Sequence, residues 1–177
     1  MTKLDPSREF MPVRIAVLTV SDSRDLESDK SGAILVGRLE EAGHVLAGRA
    51  IVIDDVDKIV AQLKVWIADD QIDVVISTGG TGITGRDVTP EAFTQAFEKE
   101  LPGFGELFRM VSFQKIGTSA IQSRAVAGVA GGTYLFALPG SPGACKDGWD
   151  DILKYQLDYR FKPCNFVEMM PRLTEHL

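Results

Sequence analysis

One stretch governs what this chain can fold into: Val74-Val75-Ile76-Ser77-Thr78-Gly79-Gly80-Thr81-Gly82-Ile83-Thr84-Gly85-Arg86-Asp87-Val88-Thr89-Pro90-Glu91. Val74 to Ile76 is a short β-branched apolar run, the composition of a strand covered on both faces. Gly79, Gly80, Gly82 and Gly85 remove side chains, so backbone N–H groups can converge on a ligand. Thr89-Pro90-Glu91 reads as N-cap, first helical residue and first-turn acid of a following helix. A strand end, a glycine loop and nearby helix N-termini make an anion site. A carboxylate, Asp87, lies inside this phosphate-friendly loop, and the combination points to a metal-assisted phosphate site.

The flanking segments repeat the alternation. Val13–Val20 is a first strand that ends in Ser21-Asp22, and Ser31 is placed to cap a helix through Glu41, stopped by Gly43. Val45 to Ile53 is a second strand ending in Asp54-Asp55. Asp55 or Asp57 caps a helix that buries Ile59, Val60, Leu63, Trp66 and Ile67. After Pro90 a helix presents Phe93, Ala96, Phe97 and Leu101 on one side. Pro102-Gly103 breaks it, and Phe104–Phe113 is a further helix. Residues 114–132 fit helix or a hairpin edge. Thr133–Leu138 is a strand that runs into a second glycine loop, Pro139-Gly140-Ser141-Pro142-Gly143, and then a helix with Trp149 on its apolar stripe.

Strands alternating with helices require parallel pairing, so the expected fold is a three-layer α/β/α domain with a mostly parallel central sheet. Residues 1–177 are read as one domain, with an extension over 1–12 and a tail over 159–177 that docks on the body or on a neighbouring subunit. In such sheets ligands bind beyond the carboxyl ends of the strands. Ser21-Asp22, Asp54-Asp55, Ser77 to Asp87 and Pro139 to Gly143 should therefore share one rim.

Composition narrows the function classes. Net charge is −6 and the pI about 4.9, which argues against nucleic-acid binding. No apolar run reaches membrane-spanning length, and Met1–Arg14 lacks the apolar core of a signal peptide. A cytoplasmic protein is expected. Cys145 and Cys164 form no C-x-x-C pair and suit reduced thiols. His44 and His176 are far apart in sequence, which argues against a histidine zinc site.

Several motifs also have plainer readings. Gly80–Gly85 satisfies G-x-G-x-x-G, but Pro90 starts the helix too late for a dinucleotide fingerprint, and no Gly-Lys-Ser/Thr makes a P-loop. Ser112, Ser119 and Ser123 lack a nearby histidine or a nucleophile elbow, so a serine hydrolase is disfavoured. Asp87 is either a solvated acid at a helix start or a Mg²⁺ ligand; Mg²⁺ takes one or two carboxylates together with substrate phosphates. Asp54 is either an ordinary turn residue or a second metal-binding or catalytic carboxylate. Arg86 and Lys30 are surface charges or phosphate neutralisers.

Thr78-Gly79-Gly80-Thr81-Gly82 followed by Arg86-Asp87-Val88-Thr89-Pro90-Glu91 resembles the signature of the MoaB/MogA family of molybdenum cofactor biosynthesis, a domain also found in gephyrin-type proteins. Ser21-Asp22, Asp29-Lys30, Pro102–Glu106, Ser123-Arg124 and Leu138–Pro142 fit it too. Phe108–Phe113, Ile116–Ser119 and Pro163–Phe166 resemble the MoaB branch. The resemblance spans about Arg14 to Phe166. It implies a molybdopterin-binding domain that assembles as a homotrimer or hexamer and works beside other proteins of the pathway. In the MogA-like branch the reaction is Mg²⁺-dependent adenylylation of molybdopterin by ATP, without a tightly bound redox cofactor. Asp87 matches the family's essential acid and Asp54 its second. Thr78, Gly79, Gly80, Thr81, Gly82, Ser112, Pro139, Gly140, Ser141 and Pro142 match its nucleotide and pterin-phosphate segments. Ser21, Asp22, Lys30, Arg86 and Arg124 are further candidates. The rival reading is a non-catalytic molybdopterin-binding or scaffold protein of the MoaB branch.

Overall fold

The apolar runs form the middle of a six-stranded sheet. In the computed structural model, which describes residues 3–175, β1 (Lys3–Leu4) stands apart from that sheet. Then follow β2 (Arg14–Val20), β3 (Val45–Val52), β4 (Val74–Thr78), β5 (Lys99–Glu100), β6 (Val126–Ala130) and β7 (Thr133–Leu138). A last short strand, β8 (Phe161–Lys162), pairs antiparallel with β1, so the N-terminal extension and the tail bind each other. The sheet order is β3-β2-β4-β7-β6-β5. β2, β3, β4 and β7 are parallel, and β6 and β5 add an antiparallel edge.

Helices cover both faces. On one side α1 (Lys30–Glu41), α4 (Pro102–Ile116) and α5 (Pro142–Gly148, prolonged by a π turn over Trp149–Leu153) bring Leu35, Leu39, Phe104, Phe108, Cys145 and Trp149 onto Ile15, Val17, Ile76, Phe136 and Leu138. On the other, α2 (Val56–Ile67) and α3 (Thr89–Ala96) bring Ile59, Leu63, Trp66, Ala92 and Phe93 onto Ala16, Leu18, Val75, Leu135 and Ala137. Each fully buried aliphatic side chain contributes about 1.5–3 kcal/mol, so packing rather than intrinsic propensity holds these helices. The expected three layers are present. The tail docks on the body, with Val167 buried and the Tyr134 hydroxyl donating to the Phe166 carbonyl at 3.2 Å. Both cysteines are free thiols; His176 lies outside the described residues.

Three local expectations are corrected, and one that the sequence leaves open is resolved. Ser31 does not cap α1: Asp29 does, accepting from the Gly32 amide at 2.8 Å, while the Ser31 hydroxyl donates to the Gly140 carbonyl. Thr89 does not cap α3, because its hydroxyl donates to the Gly79 carbonyl at 2.8 Å. Both hydroxyls are drawn off by tertiary acceptors. Phe97 and Leu101 are not on α3, which ends at Ala96; the chain turns extended at Phe97 and runs into the short edge strand β5 instead. Residues 114–132 finish α4, make a 3₁₀ turn over Gly117–Gln122 and then form β6.

Candidate functional site

The strand order turns at β2: the chain adds β3 on one side of it and β4 on the other. The crevice at such a switch point opens at the carboxyl ends of the strands. There the register is level, with Thr19 opposite Thr78 and Thr78 opposite Leu138. Gly79 adopts φ +104°, and a Cβ on it would lie 2.1 Å from the Val20 carbonyl oxygen, so only glycine passes this point. A Cβ on Gly140 would lie 3.1 Å from the Gly79 Cα. The two glycine loops therefore touch backbone to backbone.

The hydroxyls around these loops hold the frame. Thr78, fully buried, donates to the Pro139 carbonyl at 3.0 Å and contacts the Cys145 sulfur at 3.1 Å. Ser141 caps α5 by accepting from the Ala144 amide. Thr89 spends its first-turn amide on the Gly80 carbonyl at 3.0 Å, so α3 offers less of its N-terminus to a ligand than the sequence suggests. The donors left over are backbone amides. Among the described residues, no protein group accepts from the amides of Gly80, Thr81, Gly140 or Ser141. Unpartnered main-chain amides of this kind are what an anion-binding loop uses.

Two cavities share this floor. The larger, about 500 Å³, is lined by Gly80, Thr81, Gly82, Asp87, Pro139, Gly140 and Ser141 from the loops, and by Phe108, Ser112, Ser119, Gln122, Ser123 and Asp147 from the helical side. The smaller, about 250 Å³, is bounded by Ser21, Arg24, Asp29, Asp54, Thr78, Gly79, Gly80, Arg86, Asp87 and Gly140. Gly80, Asp87 and Gly140 line both.

The acids differ in character. Asp87 loses solvent, which pushes its carboxyl up, yet hydrogen bonds from the Thr84 hydroxyl (2.6 Å), the Thr84 amide (2.8 Å) and Gly82 outweigh that and hold it below the usual range. Asp54 is pushed above the usual range, first by burial and then by the nearby charge of Asp22. Its amide donates to Asp22 Oδ1 at 3.1 Å, and Arg86 grips the same carboxylate at 2.8 Å. A Cβ on Gly80 would lie 2.8 Å from Asp54 Oδ1, and one on Gly82 2.7 Å from Asp87 Oδ2, so both acids pack directly on the loop.

Of the candidates, Asp54, Asp87, Thr78 to Gly82, Ser112, Pro139, Gly140, Ser141, Ser21 and Arg86 line a cavity. Lys30 and Pro142 line neither, and Asp22 contributes through Arg86. Arg124 is engaged with backbone carbonyls and Glu91 rather than free for phosphate. Phe108, Gln122 and Asp147 were missed; on their helices they carry no pattern that separates them from ordinary core or surface. In the sequence Asp29 stands out only within the family resemblance. It is buried, bonded to Thr19 and paired with Arg49 at 3.2 Å.

Comparison with known proteins decides the family. Residues 16–159 match the family described as "Probable molybdopterin binding domain". The chain belongs to the MoaB/MogA family of molybdenum cofactor biosynthesis. It is 53% identical over 160 residues to molybdenum cofactor biosynthesis protein B of Escherichia coli (strain K12), covering 90% of this chain and 94% of that protein. A crystal structure of molybdenum cofactor biosynthesis protein B superposes with a TM-score of 0.85 at 38% identity, over 95% of this chain and 99% of that one. The tungsten cofactor synthesizing protein MoaB of Pyrococcus furiosus superposes at 0.71 with 33% identity, over 93% and 96%. Among the described residues no helix is long and apolar enough to cross a membrane.

Proposed function

We propose that this member of the family binds molybdopterin and adenylylates it with Mg-ATP, releasing pyrophosphate. The observation that carries the reading is the pair of unlike cavities on one floor. The larger, with Phe108 beside Ser112, Ser119 and Gln122, suits a flat heterocycle with polar edges. The smaller, with Asp54, Asp87 and Arg86, suits phosphates and a cation. The unpartnered amides of Gly80, Thr81, Gly140 and Ser141 lie where both substrates would present phosphate.

The donor set fits Mg²⁺. Asp87 and Asp54 are two oxygen-donor groups; burial first and then the charge of Asp22 raise the Asp54 carboxyl, and a cation would offset both. Mg²⁺ takes one or two carboxylates together with substrate phosphates, a demand that Asp87 and Asp54 can meet. Bound there, Mg²⁺ would neutralise charge on the phosphates.

The chain's own residues bind and orient. The loop amides hold the molybdopterin phosphate against the α-phosphorus of ATP and stabilise charge on the leaving pyrophosphate. A phosphate nucleophile is already ionised near neutral pH, so the reaction needs no general base and no histidine.

The reading includes self-association. Leu107, Met110, Phe113 and Ile116, at intervals of three along α4, and Ile121 in the following turn are exposed apolar side chains opposite the buried Phe104 and Phe108. A helix apolar on both faces calls for a partner. We assign it to further copies of this chain, in a homotrimer or hexamer.

Single-turnover adenylyl transfer with purified molybdopterin and Mg-ATP tests the activity, with Asp87→Asn alongside. Product from the wild type and not from the variant is expected. Molybdopterin binding without product in the wild type would leave a non-catalytic binding protein.

A further inference from the structure

Arg124 follows the 3₁₀ turn and precedes β6, and its backbone amide and two of its guanidinium nitrogens reach the glycine loop. Its amide donates to the Thr81 carbonyl at 3.1 Å. Its Nε donates to the Gly82 carbonyl at 2.7 Å and its Nη2 to the Asp87 carbonyl at 2.6 Å. Its Nη1 pairs with Glu91 in the first turn of α3. Gly82 and Asp87 are the two ends of a turn whose intervening residues, Ile83 to Arg86, are exposed and lie outside any helix or strand. The guanidinium fork thus closes the base of an excursion with little packing of its own.

We infer that Arg124 is a positioning residue, which fixes the Asp87 carboxylate by bridging the two ends of the Gly82–Asp87 turn. The inference rests on Asp87 being an essential acid of the proposed reaction. Thr84 donates both its amide and its hydroxyl to Asp87 Oδ2, so the carboxylate is aimed by the turn that Arg124 closes. Arginine suits the task because its charge is permanent and its donors are held in one plane. The two carbonyls and Glu91 occupy Nε, Nη2 and Nη1 together. A lysine offers a single nitrogen in place of the two separate, coplanar donors that meet these carbonyls. A surface ion pair with Glu91 would contribute little by itself; the two carbonyl bonds set the geometry. Ser123 and Gln122, just before Arg124, line the larger cavity, so this short segment both shapes that cavity's wall and holds the turn that carries Asp87.

Amide hydrogen exchange in the substrate-free protein tests the inference without reference to turnover. The Asp87 amide donates to the Thr84 carbonyl at 3.1 Å, so exchange at Thr84 and Asp87 reports the turn itself. In Arg124→Gln both amides should exchange at least ~10-fold faster, while Val75 and Ile76 in β4 keep wild-type protection. Single-turnover adenylyl transfer should fall about 100-fold with little change in the half-saturating molybdopterin concentration, as misplacement of a reacting group predicts. Arg124→Lys, which keeps the charge and loses the fork, should remain impaired in both measurements. Unchanged exchange at Thr84 and Asp87 overturns the inference, as does equal loss of protection throughout β4 or full rescue by lysine. A wild type that transfers no adenylyl group refutes the proposed function instead, and the exchange result still decides the role of Arg124.

Discussion

Replacing Gly79 by alanine tests the account of the crevice floor. The residue holds φ +104°, and an added Cβ would sit 2.1 Å from the carbonyl oxygen of Val20, an atom of the neighbouring strand that no side-chain rotation can move. Backbone strain at such a φ costs about 1–3 kcal/mol. Forcing the ends of β2 and β4 apart to admit a methyl group costs about 1–3 kcal/mol more. The sum is about 4 kcal/mol, and at about 2–4 °C per kcal/mol for a chain of this size the melting temperature should drop by roughly 8–16 °C. Gly103 is the control: it lies in the first turn of α4 with nothing within 4 Å of its added Cβ. Gly103→Ala should be neutral or stabilising by up to ~1 kcal/mol, from helix propensity. Scanning calorimetry and urea unfolding on both variants decide the matter. A Gly79→Ala protein that melts within about 2 °C of the wild type, the scale of a surface substitution, would refute the reasoning.

Other consequences can be checked in the same preparations. Because burial and Asp22 raise the Asp54 carboxyl, turnover that needs ionised Asp54 should decline on the acid side; Asp22→Asn removes one charge, frees Arg86 and should move that limb of the kcat/KM profile to lower pH. An unmoved limb would dissociate Asp54 from the reaction. His44, whose Nδ1 accepts from the Val13 amide, is kept neutral by burial with its pKa lowered to about 4. The unfolded chain binds that proton near 6.5 and the folded one does not, so this contribution to stability is complete above pH 6.5 and is lost as pH falls towards 4. Relative to His44→Gln, the wild type should lose up to about 1.4 kcal/mol per pH unit in that window, and parallel urea-stability curves would contradict the assignment. Met110→Glu with Phe113→Asp should convert the assembly to monomers by sedimentation velocity without unfolding them; an unaltered sedimentation coefficient would place the contact elsewhere.

The parallel half of the fold was legible because its strands are apolar β-branched runs with abrupt glycine or aspartate ends. The antiparallel edge was not. β6 is Val126-Ala127-Gly128-Val129-Ala130, small residues that say little locally; Gly128 is required because a Cβ there would meet the Phe97 ring at 2.5 Å, a long-range fact. β5 is Lys99-Glu100, two exposed charges that reveal nothing of an edge strand. Ser31 and Thr89 misled for one reason: a hydroxyl near a helix start reads as a cap, and whether it instead reaches a distant carbonyl depends on the fold. In the site, the acids and glycines stood out because their residue types are unusual after a strand. Phe108 and Gln122 did not, since helix positions acquire a cavity only when another segment leaves one beside them. Arg124 was noticed as a cation, but its role depends on carbonyls far away in sequence.

The contact between Gly79 and Gly140 bears on how such a protein can diverge. Where two loops meet through main chain alone, there is no side chain to enlarge, trim or recharge, and the distance between them is inherited with the strand register. Selection acting on this crevice has almost no purchase on that one point of contact. Shifts in which substrate is accepted fall instead on the side chains around that contact, among them those of the α4 and 3₁₀ segment that carries Phe108, Ser112, Ser119 and Gln122. That same segment presents the apolar strip assigned to neighbouring copies, so changes in substrate preference made there and changes in assembly are drawn from one short length of chain and will tend to constrain each other.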